Sequence, residues 1–168
     1  VDAVIVTHLH FDHFDEVAAK VLPKALTLFS QSEEEAQILR GMGFDDVRVL
    51  SGEGIAFDGV RLYRTKCDHG SSNLVTVDGY KDRGLTEKAS GVVFESAAET
   101  ERFYLAGDTI YCQLVVDEVE KFKPGIIAVN AAGAQYPLGH LIIMNQYDVR
   151  SLMRRFPTLK VIATHVEG

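Results

Sequence analysis

Six histidines occur in the chain, and three of them, His8, His10 and His13, fall in the stretch THLHFDHFD, with Asp12 between the second and third. Imidazole nitrogen and carboxylate oxygen are donors that a borderline divalent ion such as Zn²⁺ takes readily. In His-x-His at the end of a strand, the two imidazoles lie one period-2 step apart and face the same side of the chain. The Asp-His that follows turns toward a helix and aims two more donors at a neighbouring point. Four donors from one loop crowd a single ion, so two ions close together are the natural arrangement. A carboxylate with two oxygens can bridge them. A water held between two ions loses a proton near neutral pH and becomes a nucleophile.

Such donors need elements that position them. VDAVIV (Val1 to Val6) is a short apolar run rich in β-branched residues, which predicts a strand buried on both faces, ending at the histidine loop. Asp15 to Val21 reads as a short helix with Asp15 as N-cap, stopped by Pro23. ALTLF (Ala25 to Phe29) is a second strand. Ser32 opens a stronger helix, with Glu35 in the capping-box place and Gly41 and Gly43 at its end. The run Glu33 to Glu35 therefore reads as a solvated helix start. VRVL (Val47 to Leu50) is a strand, and Asp58-Gly59 marks a hairpin within GIAFDGVRLYRT. SGVVFES (Ser90 to Ser96) and RFYLAG (Arg102 to Gly107) predict a second hairpin. Helices are expected over Ile110 to Lys121 and Asn145 to Phe156, and strands over GIIAVN (Gly125 to Asn130) and KVIATH (Lys160 to His165). His69, Asp108 and His165 each fall where a strand ends, which is where α/β sheets build sites. His140 lies in the irregular segment from Ala131 to Met144. Alternating strands and helices give an α/β class, and the two hairpins add antiparallel pairing, so a purely doubly wound sheet fits poorly.

The 168 residues suffice for one domain, 1–168, and not for two well-cored ones. Apolar residues at 46% and charged residues at 24% exclude a disordered or fibrous chain. A formal net charge of −7 argues against nucleic acid as a partner, since nonspecific affinity for it comes from Lys and Arg. A small-molecule substrate fits better. Oligomeric state has no sequence signature here. No apolar run is long enough for a membrane span. Cys67 and Cys112 form no CxxC pair, which favours a reducing, cytoplasmic setting over a disulfide framework. Cys67 reads as packed rather than ligating, and Asp68 as either a hydrogen-bond partner of an imidazole or an exposed residue. Residue 1 is Val within an apparent core strand, so an N-terminal portion is expected to be missing.

Together these residues resemble the metallo-β-lactamase superfamily. The resemblance rests on T-H-L-H-F-D-H at Thr7 to His13, H-G at His69, A-G-D-T at Ala106 to Thr109 and T-H at Thr164 to His165. The separations fit the family's order, with 56 residues from His13 to His69, 39 from there to Asp108 and 57 more to His165. The resemblance implies a four-layer αβ/βα sandwich with a dinuclear centre at one edge of two sheets, here lacking its N-terminal strands. By it, His8, His10 and His69 hold one metal, Asp12, His13 and His165 hold the other, and Asp108 bridges both together with a hydroxide. The ions implied are Zn²⁺ first, with Mn²⁺ or Fe²⁺ as other fits. The hydroxide would attack a small ester, lactone or phosphate-containing substrate, with Asp12 orienting it. His140 would overhang the site as substrate contact or proton donor, with Gln135 and Tyr136 as weaker candidates. The G-H-L-I-I-M segment at Gly139 to Met144 and the compact size are similar to the small ascorbate-phosphate-lactonase-like branch.

Other functions of the same fold predict different features. A nuclease of the RNase Z or β-CASP kind needs basic surface that this chain lacks. A di-iron redox protein with a flavin partner typically carries Glu where His10 stands. A single-iron persulfide dioxygenase shares the ligand types. A scaffold without turnover has no reason to keep all seven.

Overall fold

The computed structural model describes residues 1–69, 89–135 and 141–166. Two sheets carry the fold. The first is parallel, with strands β1 (Ala3–Val6), β2 (Thr27–Ser30) and β3 (Val47–Val49) in that spatial order. Helix α1 (Glu16–Val21) links β1 to β2, and α2 (Glu33–Gly41) links β2 to β3. The second sheet has β4 (Ile55–Phe57), β5 (Val60–Thr65), β6 (Gly91–Ser96), β7 (Phe103–Leu105), β8 (Ile126–Asn130) and β9 (Lys160–Thr164) in sequential order. Its first four strands pair antiparallel, while β7, β8 and β9 run parallel. Helices α3 (Gln113–Phe122) and α4 (Gln146–Arg155) make the parallel crossovers.

Strand alternation sorts the core into layers. Leu28 and Phe29 are adjacent and both fully buried, so they bury opposite faces of β2. Leu28 packs with Ala36, Leu39 and Phe44 of the α1–α2 side. Phe29 packs with Leu62 and Val92 of the second sheet. The same step repeats in β6, where Val92 faces the first sheet and Val93 joins Val115, Val119, Phe122 and Leu152 of α3 and α4. The order is therefore helices, sheet, sheet, helices. Each fully buried side chain of this size contributes roughly 1.5–3 kcal/mol of transfer free energy.

Local chemistry sets the ends of the elements. Asp15 caps α1 by accepting from the Ala18 N–H at 2.7 Å, and Ser32 caps α2 by accepting from the Glu35 N–H at 3.3 Å. Asn145 caps α4 within a complete capping box. Asp58 and Gly59 both take positive φ, 47° and 79°, as a tight two-residue hairpin between right-twisted strands requires.

Three expectations differ from the structure. Ala3, Val4 and Ile5 are half-exposed rather than buried on both faces, because β1 is the edge strand of its sheet among the described residues. Glu35 is fully buried rather than solvated: the first turn of α2 directs it inward, where Gln31 Nε2 donates to it at 2.9 Å. Glu33 and Glu34 are exposed as expected. Helix α3 starts at Gln113 rather than Ile110, because the Ile110 N–H is taken by the carbonyl of Asp68 at 2.9 Å. Among the described residues no helix is long and apolar enough to cross a membrane.

Candidate metal centre

The C-terminal end of β1 runs directly into Thr7, His8 and His10. The N–H groups of His13 and Phe14 both donate to the His10 carbonyl, at 3.0 and 2.9 Å, and fold the loop back on itself. The Leu9 and Phe14 side chains anchor this turn in the α1–α2 core. A hydrogen bond from the Ser90 N–H to Thr7 O, 3.2 Å, ties the loop to the entrance of β6 in the other sheet.

Asp108 follows β7. Gly107 before it has φ +68°, and a Cβ there would lie 3.0 Å from the Ser90 carbonyl, so glycine is needed for both conformation and space. Behind Asp108, the Thr109 hydroxyl accepts from the Asp68 N–H at 3.0 Å and pins the segment that carries His69. His165 follows β9 in a left-handed conformation, φ 53°.

All seven predicted donors converge. His8 Nε2 lies 2.9 Å from His10 Nδ1, and His69 Nε2 lies 3.2 Å from the same atom. Asp108 Oδ2 lies 3.1 Å from His13 Nε2, 3.6 Å from His69 Nε2 and 3.7 Å from His8 Nε2. Asp12 Oδ2 is 3.7 Å from both His13 Nε2 and His165 Nε2. Three donor groups result: His8 with His10 and His69, His8 with His13 and Asp108, and Asp12 with His13 and His165. Within each, the ligating atoms lie within 4.8 Å of one another.

The donor chemistry fits a metal. His69 Nδ1 sits 2.7 Å from the Ile142 carbonyl, which only accepts, so Nδ1 carries the proton and Nε2 turns its lone pair inward. Burial, followed by the neighbouring His13, His10 and His69, lowers the His8 pKa to about 2. Burial and then His69 lower that of His10 to about 4. Both rings are thus neutral at neutral pH, with nitrogen lone pairs free to meet a cation. Burial pulls His13 down as well, but its hydrogen bond to Asp108 and the charges of Asp108 and Asp12 outweigh this and raise it. Burial pushes the Asp108 carboxyl up, yet hydrogen bonds from His13 and Asn130 hold it well below the usual carboxylate range. Nitrogen lone pairs and carboxylate oxygens that face one another at these distances are what a cation neutralises.

Other candidates divide. Cys67 is half-buried, burial pushes its thiol up to about 12, and it belongs to none of the three donor groups. Asp68 serves the site through its backbone, to Thr109 and Ile110. Gln135 is exposed and pairs with Leu141 in an antiparallel bridge at the base of its loop. His140 and Tyr136 lie outside the described residues, as does the segment 70–84. Sequence reasoning missed Asn130, whose amide meets Asp108, Thr164, which holds that amide, and the Ile142 carbonyl. Asn130 and Thr164 did carry a signal, being polar residues at the ends of apolar strands.

Comparison with known proteins identifies the family and the fold. The sequence model of the Beta-lactamase superfamily domain matches residues 1–166. The UPF0173 protein YddR of Bacillus subtilis is 39% identical over 169 residues, covering 100% of this chain and 63% of that protein. The crystal structure of an isothiocyanate hydrolase from Delia radicum gut bacteria superposes with a TM-score of 0.88 at 36% identity, over 99% of this chain and 64% of that one. A possible metal-dependent hydrolase from Veillonella parvula gives a TM-score of 0.84 at 36% identity, over 98% of this chain and 62% of its own. The chain thus spans a little under two thirds of these relatives. With strand ends, donor order and this match in agreement from β1 to β9, the chain belongs to the beta-lactamase superfamily and has the metallo-β-lactamase fold.

Proposed function

We propose that this chain carries the metal centre of a metal-dependent hydrolase acting on a small molecule. The observation that carries the reading is the convergence of His8 and His13, from the loop after β1, and His69, from the segment after β5, on one carboxylate oxygen at the end of β7, Asp108 Oδ2. His8, His10 and His69 would hold one divalent ion, Asp12, His13 and His165 a second, and Asp108 would serve both. Zn²⁺ suits this donor set first, and Mn²⁺ or Fe²⁺ also fit. Bound ions supply Lewis acidity and a water-derived nucleophile at neutral pH.

The chain's own residues do the rest. His8 and His69 are buried and keep their end dry. Asp12, with its side chain 40% exposed, would orient a water and take its proton. Asp108 stays ionised and offsets the positive charge that gathers there. The electrophile is the carbon of a small ester or lactone, or a phosphoryl group. The likeness to the isothiocyanate hydrolase adds a second reading, an isothiocyanate carbon. The net charge of −7 supports a small substrate over nucleic acid, and two free cysteines support a reducing, cytoplasmic setting.

Metal analysis of the purified protein, then turnover of lactones, phosphodiesters, thioesters and isothiocyanates after loading with Zn²⁺, Mn²⁺ or Fe²⁺, tests the reading. Asp108→Ala and His10→Ala should each lower turnover by at least about 100-fold, with the circular dichroism spectrum unchanged. Full turnover in both variants would remove the mechanism.

A further inference from the structure

The two oxygens of Asp108 face different neighbours. Oδ2 points at the imidazoles of His13, His69 and His8. Oδ1 points away from them and accepts from Asn130 Nδ2 at 2.5 Å. Asn130 is the last residue of β8 and is 8% exposed. Its own Oδ1 accepts from the Thr164 hydroxyl at 2.7 Å, and Thr164 is the last residue of β9. An ionised carboxylate only accepts, so the amide must turn its NH₂ to Asp108 and its oxygen to Thr164. The carboxylate therefore fixes which way the amide faces; the Thr164 hydroxyl, which also lies 3.1 Å from the Val129 carbonyl, steadies the amide in that orientation, and the steadied amide in turn holds the carboxylate's rotation.

We propose that Asn130, steadied by Thr164, is a positioning residue that commits Asp108 to offering one oxygen, Oδ2, to both donor groups. The terminal torsion of an aspartate is broad and roughly two-fold, so a free carboxylate turns easily and can place both oxygens on one ion. A hydrogen bond to an ionised oxygen, roughly twice as strong as a neutral one, holds it in one orientation. The same strand end that steadies the amide also presents His165, so the ends of β7, β8 and β9 place Asp108, Asn130 and His165 side by side.

This inference rests on the metal-centre reading and is tested beside it. The full chain is loaded with Co²⁺, its visible absorption is recorded, and affinity is measured against a chromogenic chelator. Melting temperatures of the metal-free proteins are measured in parallel. Asn130→Ala should weaken Co²⁺ binding roughly 10–100-fold and change the absorption spectrum. Thr164→Val should move both in the same direction by less, with no change in metal-free melting temperature, and Thr164→Ser should restore wild-type behaviour. Wild-type affinity and spectrum in Asn130→Ala overturn the inference and leave the metal centre standing. A loss in Thr164→Val that tracks a lower metal-free melting temperature, or that Thr164→Ser does not rescue, overturns it too. A wild-type protein that takes up no Co²⁺ overturns the metal-centre reading itself.

Discussion

The two halves of the donor set differ in their contact with water. His8 is fully buried, and His10 and His69 are 9% and 6% exposed. The side chains of Asp12 and His165 are 40% and 34% exposed, and that of His13 is 16%. The buried half is all nitrogen, and desolvation keeps His8 and His10 neutral. The open half mixes carboxylate and imidazole and faces the side from which a molecule can approach. On the proposed function, the dry end would hold its ion and the open end would exchange. Asp108 joins them, with Oδ2 near His8 and His69 of the first and His13 of the second.

Removing one imidazole from each half tests the contrast most directly. A donor lost from the exposed half can be replaced by water at little cost, whereas a dry pocket has no such replacement. His69→Ala should therefore reduce metal affinity by more than about 100-fold, and His165→Ala by about tenfold, both read by chelator competition. The opposite order would mean that burial does not determine which half retains its ion.

Legibility in the sequence divides the donors along a different line, which crosses both halves. THLHFDH states its chemistry locally, since its donors come from one loop after one strand. His69, Asp108 and His165 could be read only because each follows an apolar run, which makes their convergence a statement about sheet topology. Asn130 and Thr164 have the same placement, but nothing local says that an amide at the end of β8 will meet a carboxylate at the end of β7. The Ile142 carbonyl that orients His69 is backbone and leaves no mark in the sequence. The strands were legible from their apolar runs and the four layers from the family resemblance, whereas the exposure of β1 was not, because VDAVIV reads alike at an edge and in the middle of a sheet. Glu35 is buried with Gln31, four residues earlier, donating to it, a pairing hidden behind a sound capping pattern.

Acid should weaken the buried half of the metal-free protein in a defined direction. Histidine in the unfolded chain titrates near 6.5, while folded His10 and His8 titrate at about 4 and about 2. Below about 6.5 the unfolded chain gains protons that these two folded rings refuse, so their stabilisation, full above that value, is lost as pH falls. His13 has the opposite sign: its pKa is raised, so its contribution is present at low pH and lost as pH rises through the folded value. Two rings outweigh one, and thermal melts of chelated protein should fall steadily from about pH 7 to about pH 4. Zn²⁺ should steepen the fall, because protons and metal compete for the same nitrogens. A flat profile would mean that the buried imidazoles are not held neutral.

The smallest effect concerns the loop that supports the buried half from behind. Asn145 Oδ1 accepts from the N–H groups of Tyr147 and Asp148 at 2.8 and 3.1 Å and starts α4. Three residues earlier, Ile142 offers its carbonyl to His69, and its own N–H donates to Ala134 O at 2.9 Å. The Gly133 N–H donates to Met144 O at 2.9 Å, so the loop base is closed independently of the helix cap. Asn145→Ala should then cost about 1 kcal/mol, a fall of about 2–4 °C in melting temperature for a chain of this size. Metal affinity should stay unchanged, because the carbonyl that orients His69 does not depend on the cap. If calorimetry shows the small fall in Tm and chelator competition also shows weakened binding, the rigidity of the buried half comes partly from α4. The contrast between the halves would then owe as much to the helix behind the loop as to burial.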